Sequence, residues 1–285
     1  MHGFYSESAD MRIGGCTFAF GPRSLEEAAS ILAAFGFQTI DLGVCSNENA
    51  QVDPLVAAGD PDGSADQVLR ALEPWGFELN ECFVLDFGDP VNHPDPEIRA
   101  RTRRLFPGLV RFASKVGCTS IMLIPGVVHA ELGRQESFRL SAKELRALVG
   151  IANDGGLDLN IEACEPSVAE DPQDALRICQ EVPGLGLTLD YSHFVDPGHS
   201  QAEVEPLHAY ARNFHIRQAA PGKRVETVEE GTIDFGRIFE LLKSSAYNGV
   251  VAVEYVDCDE TTACGVDVMA ETPKMKREVE RLLQM

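Results

Sequence analysis

No run of apolar residues in this 285-residue sequence approaches the roughly 20 that a helical membrane span needs. The opening MHGFYSESADMRIGG also lacks the apolar core of a secretory signal, so the expected location is the cytoplasm. Paired cysteine motifs are missing too. The eight cysteines, at 16, 45, 82, 118, 164, 179, 258 and 264, form no CxxC, which argues for reduced thiols rather than a disulfide framework. Positive charge is scarce: 24 Lys and Arg face 45 Asp and Glu, a formal net charge of −21. That balance repels phosphate backbones and anionic lipid, so neither nucleic acid nor a membrane surface is an expected partner. What is present suits a folded domain, with 44% hydrophobic and 24% charged residues and ample length for a core.

Residues 1–10 read as a polar, frayed leader and 11–285 as one catalytic domain. From Arg12 onward, short aliphatic runs alternate with amphipathic helical stretches. The pattern predicts strands at 12–18, 38–43, 78–84, 120–124, 158–162, 186–190, 213–216 and 250–254. Helices are predicted to begin near Ser24, Ser64, Asp95, Ser141, Asp171, Glu203, Asp234 and Met269. Ser24-Leu-Glu-Glu27 is a capping box, and Asp95-Pro96 couples a cap to proline at the first helical position. Gly36, Gly76, Gly117 and Gly249 stand where helices would stop in a left-handed residue. Pro107 falls inside a helical stretch and predicts a kink or a break. Eight strand–helix units of about 34 residues each fit an α/β fold, a single (β/α)8 TIM barrel. An open doubly wound sheet would carry a glycine-rich first turn, and FAFGPRS has no GxGxxG.

A barrel of this kind does its chemistry at the C-terminal ends of its strands. The last four strands read LDLNIE, LGLTLD, RNFHIR and VVAVEY, and they close on Glu162, Asp190, His215 and Glu254. Side chains alternate along a strand, so Asn160, Thr188, Asn213 and Ala252 share the face of those residues while aliphatics fill the other. The four ionisable groups should therefore point into the barrel mouth, with Arg217 at the same parity. Three carboxylates gathered without a cation would repel one another and lose hydration. A divalent ion resolves that cost, and three carboxylates with one imidazole suit Mn²⁺ or Mg²⁺ better than a thiolate-type zinc site. Such an ion polarises a carbonyl and acidifies the neighbouring C–H. One acidic residue at a strand end is usually a helix cap or ion-pair partner; four in consecutive units are not.

Other residues stay open between roles. Asp41 closes the second strand at inward parity, as a substrate-hydroxyl contact or a support for a ligand. Arg217 could clamp a substrate group or neutralise Asp190 or Glu254. His129 is a general base near the mouth or a surface histidine; His93, His199 and His208 read as solvated, and Trp75 as core. Cys258 and Cys264 flank an acidic loop without nearby histidines and suggest no metal.

Longer segments then carry a resemblance: IEACEP, LDYSHF, FHIRQA, EEGTIDFGRIFELLKSSAYNGVVAVEY, and LIPG at 123–126. Through them the chain resembles the xylose-isomerase-like TIM barrels, the sugar phosphate isomerase/epimerase superfamily, from Arg12 to its end. The resemblance implies one divalent metal held by Glu162, Asp190, His215 and Glu254, with Mn²⁺ first and Mg²⁺ or Co²⁺ as alternatives. It implies Glu162 and Glu254 as a proton-transfer pair and His193 as a substrate contact. Ketose epimerases of the family carry a second glutamate six residues after the first. Here position 168 is Val, and Glu165 is the nearest substitute. Abasic-site endonucleases of the same fold need further histidines, where this chain has NECFV, LIPG and HIR.

The expected enzyme is thus a metal-dependent isomerase, of the ketose 3-epimerase or aldose–ketose type, working through an enediolate of a small carbohydrate. The runner-up is a lyase or dehydratase that expels a β-substituent, as from a 3-oxo-glycoside or C-glycoside, with His129 or His193 as general acid/base. A non-catalytic binding subunit is the third reading. The resemblance is compatible with a homo-oligomer, or, for a lyase, with a small second subunit.

Overall fold

The computed structural model describes residues 11–46 and 51–285; the leader expected at 1–10 lies outside them. Eight parallel strands close into a barrel: β1 (Arg12–Cys16), β2 (Thr39–Val44), β3 (Glu78–Val84), β4 (Ser120–Leu123), β5 (Asp158–Glu162), β6 (Leu185–Asp190), β7 (Ala211–Ile216) and β10 (Val250–Val253). Between β7 and β10 the chain adds an antiparallel hairpin, β8 (Gln218–Ala220) and β9 (Lys223–Glu226), which the strand pattern did not reveal. The (β/α)8 barrel expected from the strand–helix count is the fold observed. Its seam is β1 against β10, in register from Arg12↔Val250 to Gly15↔Val253.

Around the barrel run α1 (Leu25–Ala34), α2 (Pro54–Gly59), α3 (Pro61–Leu72), α4 (Pro96–Val116), α5 (Gly133–Asp154), α6 (Pro172–Glu181), α7 (Ser192–Val195), α8 (Gln201–Val204), α9 (Phe235–Ser244), α10 (Asp259–Ala263) and α11 (Val268–Gln284). The capping box at Ser24 is complete: its side chain accepts from the Glu27 amide, and Glu27 accepts from the Ser24 amide. Such a cap contributes about 1 kcal/mol. Asp53, Asp60, Asp95, Asp171, Asp234 and Asp267 cap α2, α3, α4, α6, α9 and α11.

Several boundary expectations are corrected. Helix α5 begins at Gly133 rather than near Ser141, and α2 precedes the helix expected at Ser64. Helix α4 runs unbroken through Pro107: one lost donor is outweighed by the buried stripe of Phe106, Leu109, Val110, Phe112 and Ala113. Gly36, Gly76 and Gly117 do adopt positive φ, but the left-handed residue after α9 is Ala246 at φ 53°. Gly249 is required for room instead, since a Cβ there would strike the Tyr247 hydroxyl, which bonds the Val250 carbonyl at 2.8 Å. Trp75 is only partly buried against the core, and all eight cysteines are free thiols. Among the described residues no helix is long and apolar enough to cross a membrane.

The ladder between β2 and β3 slips. Ile40 pairs with Leu79 but Leu42 with Cys82, so β3 holds one residue more than its neighbour over this stretch. A bulge of this kind turns two consecutive side chains, Asn80 and Glu81, towards the barrel interior, where strict alternation would send only one.

His208, read as solvated, is half-buried, with its Nε2 2.7 Å from the Tyr191 hydroxyl. Burial pushes its imidazole down to about 4. The unfolded chain takes up that proton below about pH 6.5, so the contribution to stability is complete above that pH and is lost as pH falls towards 4. With allowance for partial exposure, the loss is about 2 kcal/mol at most. Thermal melts at pH 7 and pH 5 should therefore differ less for His208→Gln than for the parent chain. An unchanged difference would show that this imidazole carries none of the acid sensitivity.

Candidate active site

Glu162, Asp190, His215 and Glu254 converge at the C-terminal ends of β5, β6, β7 and β10, each 4% exposed or less. His215 organises the group. Burial alone would lower this imidazole, but Cys16, Glu254 and Asp41 outweigh it and hold the ring well above its ordinary value; Nε2 donates to Asp41 Oδ2 at 3.0 Å, and an ion bound at Nδ1 would replace the second proton. Nδ1 stands 3.5 Å from Glu162 Oε1 and 3.5 Å from Glu254 Oε2. Neither Glu162 Oε1 nor His215 Nδ1 has a hydrogen-bond partner, although both are buried. Two such atoms facing each other are unfavourable in a dry interior unless something bridges them.

Asp190 is held by the turn that follows it. Its two oxygens accept from the amide and hydroxyl of Ser192, each at 2.8 Å, and this starts the short α7 that carries His193. His193 Nε2 comes within 3.8 Å of Glu162 and 3.7 Å of Asp190.

Arg217 settles between the carboxylates. Its Nε donates to Ser192 Oγ at 3.0 Å and its Nη1 to the carbonyl and Oε2 of Glu254 at 3.3 and 3.0 Å. Nη2 reaches Asp190 Oδ2 at 3.0 Å and His193 Nε2 at 3.2 Å. A guanidinium has five N–H donors and no acceptor. Four hydrogen bonds and the ion pair to Asp190 turn it onto the site, which supports the role of holding Asp190 and Glu254. They also make His193 Nε2 an acceptor, which leaves its proton on Nδ1, a buried donor without a partner.

The surroundings move the ionisable groups apart. Burial and the Glu254 charge push Glu162 up to about 7. Burial would raise Glu254 as well, but Arg217 and then His215 hold it down to about 2. Burial raises Asp190 against the pull of Arg217, and burial together with Arg217 keeps His193 well below the ordinary imidazole value.

Beneath lies a polar floor. Asp41 accepts from Asn80 and Asn213 Nδ2, both at 2.8 Å, and from the Glu81 amide at 3.1 Å. Glu81 is bonded to Ser120, Asn160, Thr188 and Asn213 at 2.6–3.0 Å. Asn160, Thr188 and Asn213 therefore face inward as their parity predicts. Beside the imidazole, Phe18 stacks on Phe83 at 4.3 Å, and Phe83 lies 5.3 Å from the His215 ring. Gly43 makes room, since a Cβ there would sit 2.6 Å from Phe18 Cβ.

The remaining sequence candidates lie elsewhere. Glu165 is exposed, 3.6 Å from Arg224 of the hairpin, and His129 is half-buried with Nε2 3.2 Å from Asn92 Oδ1. Glu81, Asn80, Ser192 and Arg224 went unnoticed in the sequence. Only Ser192, two residues after Asp190 in a turn-forming position, left a local signal.

The donor set fits the divalent ion that the resemblance implies. Three carboxylates with Arg217 carry a net charge of −2 when ionised, which one dication balances. Ligand atoms of Glu162, His215 and Glu254 lie within 4.8 Å of one another, as do those of Glu162, Asp190 and His193, so Glu162 joins two groups whose oxygens suit a hard ion.

Comparison with known proteins agrees with the fold. A human protein provisionally named as a hydroxypyruvate isomerase is 28% identical over 173 residues, 56% of this chain and 62% of that one. The L-ribulose-5-phosphate 3-epimerase UlaE of Escherichia coli O157:H7 is 25% identical over 175 residues, 58% of this chain and 60% of that one. The chain thus matches about three fifths of the length of these curated relatives. The D-psicose 3-epimerase of Clostridium cellulolyticum H10, solved with D-tagatose, superposes with a TM-score of 0.76 over 96% of this chain and 99% of that one; at 15% identity this shows a shared fold. The sequence pattern of one family matches residues 29–283, nearly the whole barrel, and the chain therefore belongs to the xylose isomerase-like TIM barrels.

Proposed function

We propose that the protein is a divalent-metal-dependent sugar isomerase or epimerase, acting on a keto sugar or related carbohydrate through an enediolate. The observation that carries this reading is the facing pair of buried, unpartnered ligand atoms, Glu162 Oε1 and His215 Nδ1, with Glu254 Oε2 at the same nitrogen. Glu162, Asp190, His215 and Glu254 would hold the ion, Mn²⁺ by preference. When bound, it polarises the substrate carbonyl and lowers the pKa of the adjacent C–H. The epimerase names of several relatives and structural neighbours support the same reaction class.

The protein's own groups divide the remaining work. Glu162 and Glu254 approach from strands separated by β6 and β7, so their carboxylates can address opposite faces of one carbon. One removes the proton beside the carbonyl and the other returns it from the far side, which inverts the centre. His193 Nδ1–H is an unpartnered buried donor suited to a substrate oxygen, and Asp41 holds His215 Nε2–H so that Nδ1 faces the ion site.

Stripping metal with a chelator should abolish turnover, and Mn²⁺ should restore it. Incubation of ketoses in D₂O should place deuterium at C3 of the recovered sugar. Release of an aglycone or an enone absorbance from a 3-oxo-glycoside would instead favour elimination. Neither signal across a broad ketose panel would sink the proposed reaction.

A further inference from the structure

The described loops that rim the barrel mouth span 17–24, 45–46, 51–53, 85–95, 124–132, 163–171, 191–200, 217–234 and 254–267. Their Lys and Arg residues are Arg23, Arg217, Lys223 and Arg224, and acidic residues outnumber these several-fold. Each of the four has a carboxylate of the chain beside it. Arg217 is turned onto Ser192, His193, Asp190 and Glu254 of the site itself. Arg224 lies between two carboxylates, 3.3 Å from Asp196 and 3.6 Å from Glu165, and its buried Nε makes no hydrogen bond. Lys223 is 2.6 Å from Glu226, and Arg23 bonds the Phe20 carbonyl with Asp257 at 3.6 Å. Residues 1–10 add no lysine or arginine to the chain.

Helix N-termini are the other anion-holding device of a barrel, above all those that follow its last strands. Here the N-termini of α9 and α11 are loaded with the chain's own carboxylates. At α9, Asp234 Oδ1 accepts the Arg237 amide at 3.1 Å; at α11, Asp267 Oδ1 accepts the amides of Met269 and Ala270 at 2.9 and 3.3 Å. An arriving phosphate would have to displace a carboxylate at each of these positions and enter the field of an acidic rim.

We infer that the substrate is an uncharged polyhydroxy ketone or aldehyde, and that its phosphate ester is discriminated against. This rests on the carbohydrate reading of the same site and narrows it. It sets the chain apart from the relative whose name specifies a 5-phosphate. A phosphate monoester carries close to two negative charges at neutral pH, whereas the free sugar meets the same rim at no electrostatic cost.

The test is a matched-pair comparison on the full-length protein: D-fructose against D-fructose 6-phosphate and D-ribulose against D-ribulose 5-phosphate. Binding is read by saturation-transfer NMR on the Mg²⁺-loaded protein, and turnover by kcat/KM with Mn²⁺. The free sugar of at least one pair should bind at least about 100-fold more tightly than its ester. Equal or tighter binding of the esters, or binding of no member of either pair, overturns the inference. A binding preference without any deuterium exchange sustains it and removes the isomerase reading. Turnover confined to a phosphate ester does the reverse. In Asp196→Asn, where Arg224 loses one of its carboxylates, the ester should gain about 10-fold in affinity while the free sugar stays within about twofold. A variant that folds, judged by its melting temperature, yet shows no such gain also counts against it.

Discussion

Glu162→Gln is expected to lower kcat by about 1,000-fold or more, measured at saturating Mn²⁺, with the barrel still folded. Gln has the same shape, so the packing around this strand end is retained while the proton-accepting oxygen is lost. A positioned acid or base contributes roughly 10²–10⁴-fold, and here the same side chain is also proposed to hold the ion. The two roles separate by experiment. A pure ligand defect is repaired by raising the metal concentration, whereas a proton-transfer defect persists at saturation. Deuterium wash-in sharpens the distinction, because a two-base mechanism predicts that Glu162→Gln and Glu254→Gln each lose exchange with a different one of the two epimers. Activity within a few fold of the parent at saturating metal would remove Glu162 from proton transfer.

Arg217→Met should cost the metal-free protein about 3–5 kcal/mol, because it leaves Asp190 and Glu254 buried without their common cation. For a domain of this size that is a fall in melting temperature of roughly 5–15 °C. The direction of rescue is the informative part. Mn²⁺ replaces part of the missing positive charge, so it should raise the melting temperature of the variant more than that of the parent. Arg217→Lys keeps the charge but cannot span Ser192, His193 and both carboxylates from one planar fork, and should fall between the two. An unchanged melting temperature with and without metal would show that Arg217 is not the group that makes this anionic cluster tolerable.

Much of the barrel was legible because parallel strands buried on both faces leave aliphatic runs with few interpretations. The four convergent residues were equally legible: each closes its strand, and strand parity turned them inward together with Asn160, Thr188 and Asn213. The carboxylate Glu81 escaped the same rule. It stands mid-strand in ELNECFV beside Asn80, and alternation cannot place two neighbours on one face; only the slip against β2, a property of pairing, does so. The partners of Arg217 were hidden for a related reason. They come from β6, α7 and β10, and only closure of the barrel brings them to one guanidinium. Hairpin β8–β9 offers two strands of three and four residues, too short for a period to declare itself. The start of α5 was missed because Leu132 supplies no side-chain cap.

The surplus residue in β3 also sets how much change in length the chain can absorb, and where. Deleting Asn80 or Glu81 would even out the ladder with β2 but withdraw either the amide that steadies Asp41 or the carboxylate that ties four strands together. His215 would then lose the grip that fixes its orientation. A residue added at the Pro221–Gly222 tip of the hairpin touches none of this. Insertions and deletions in descendants of this sequence should therefore accumulate along the rim, with the base of the third strand holding its length.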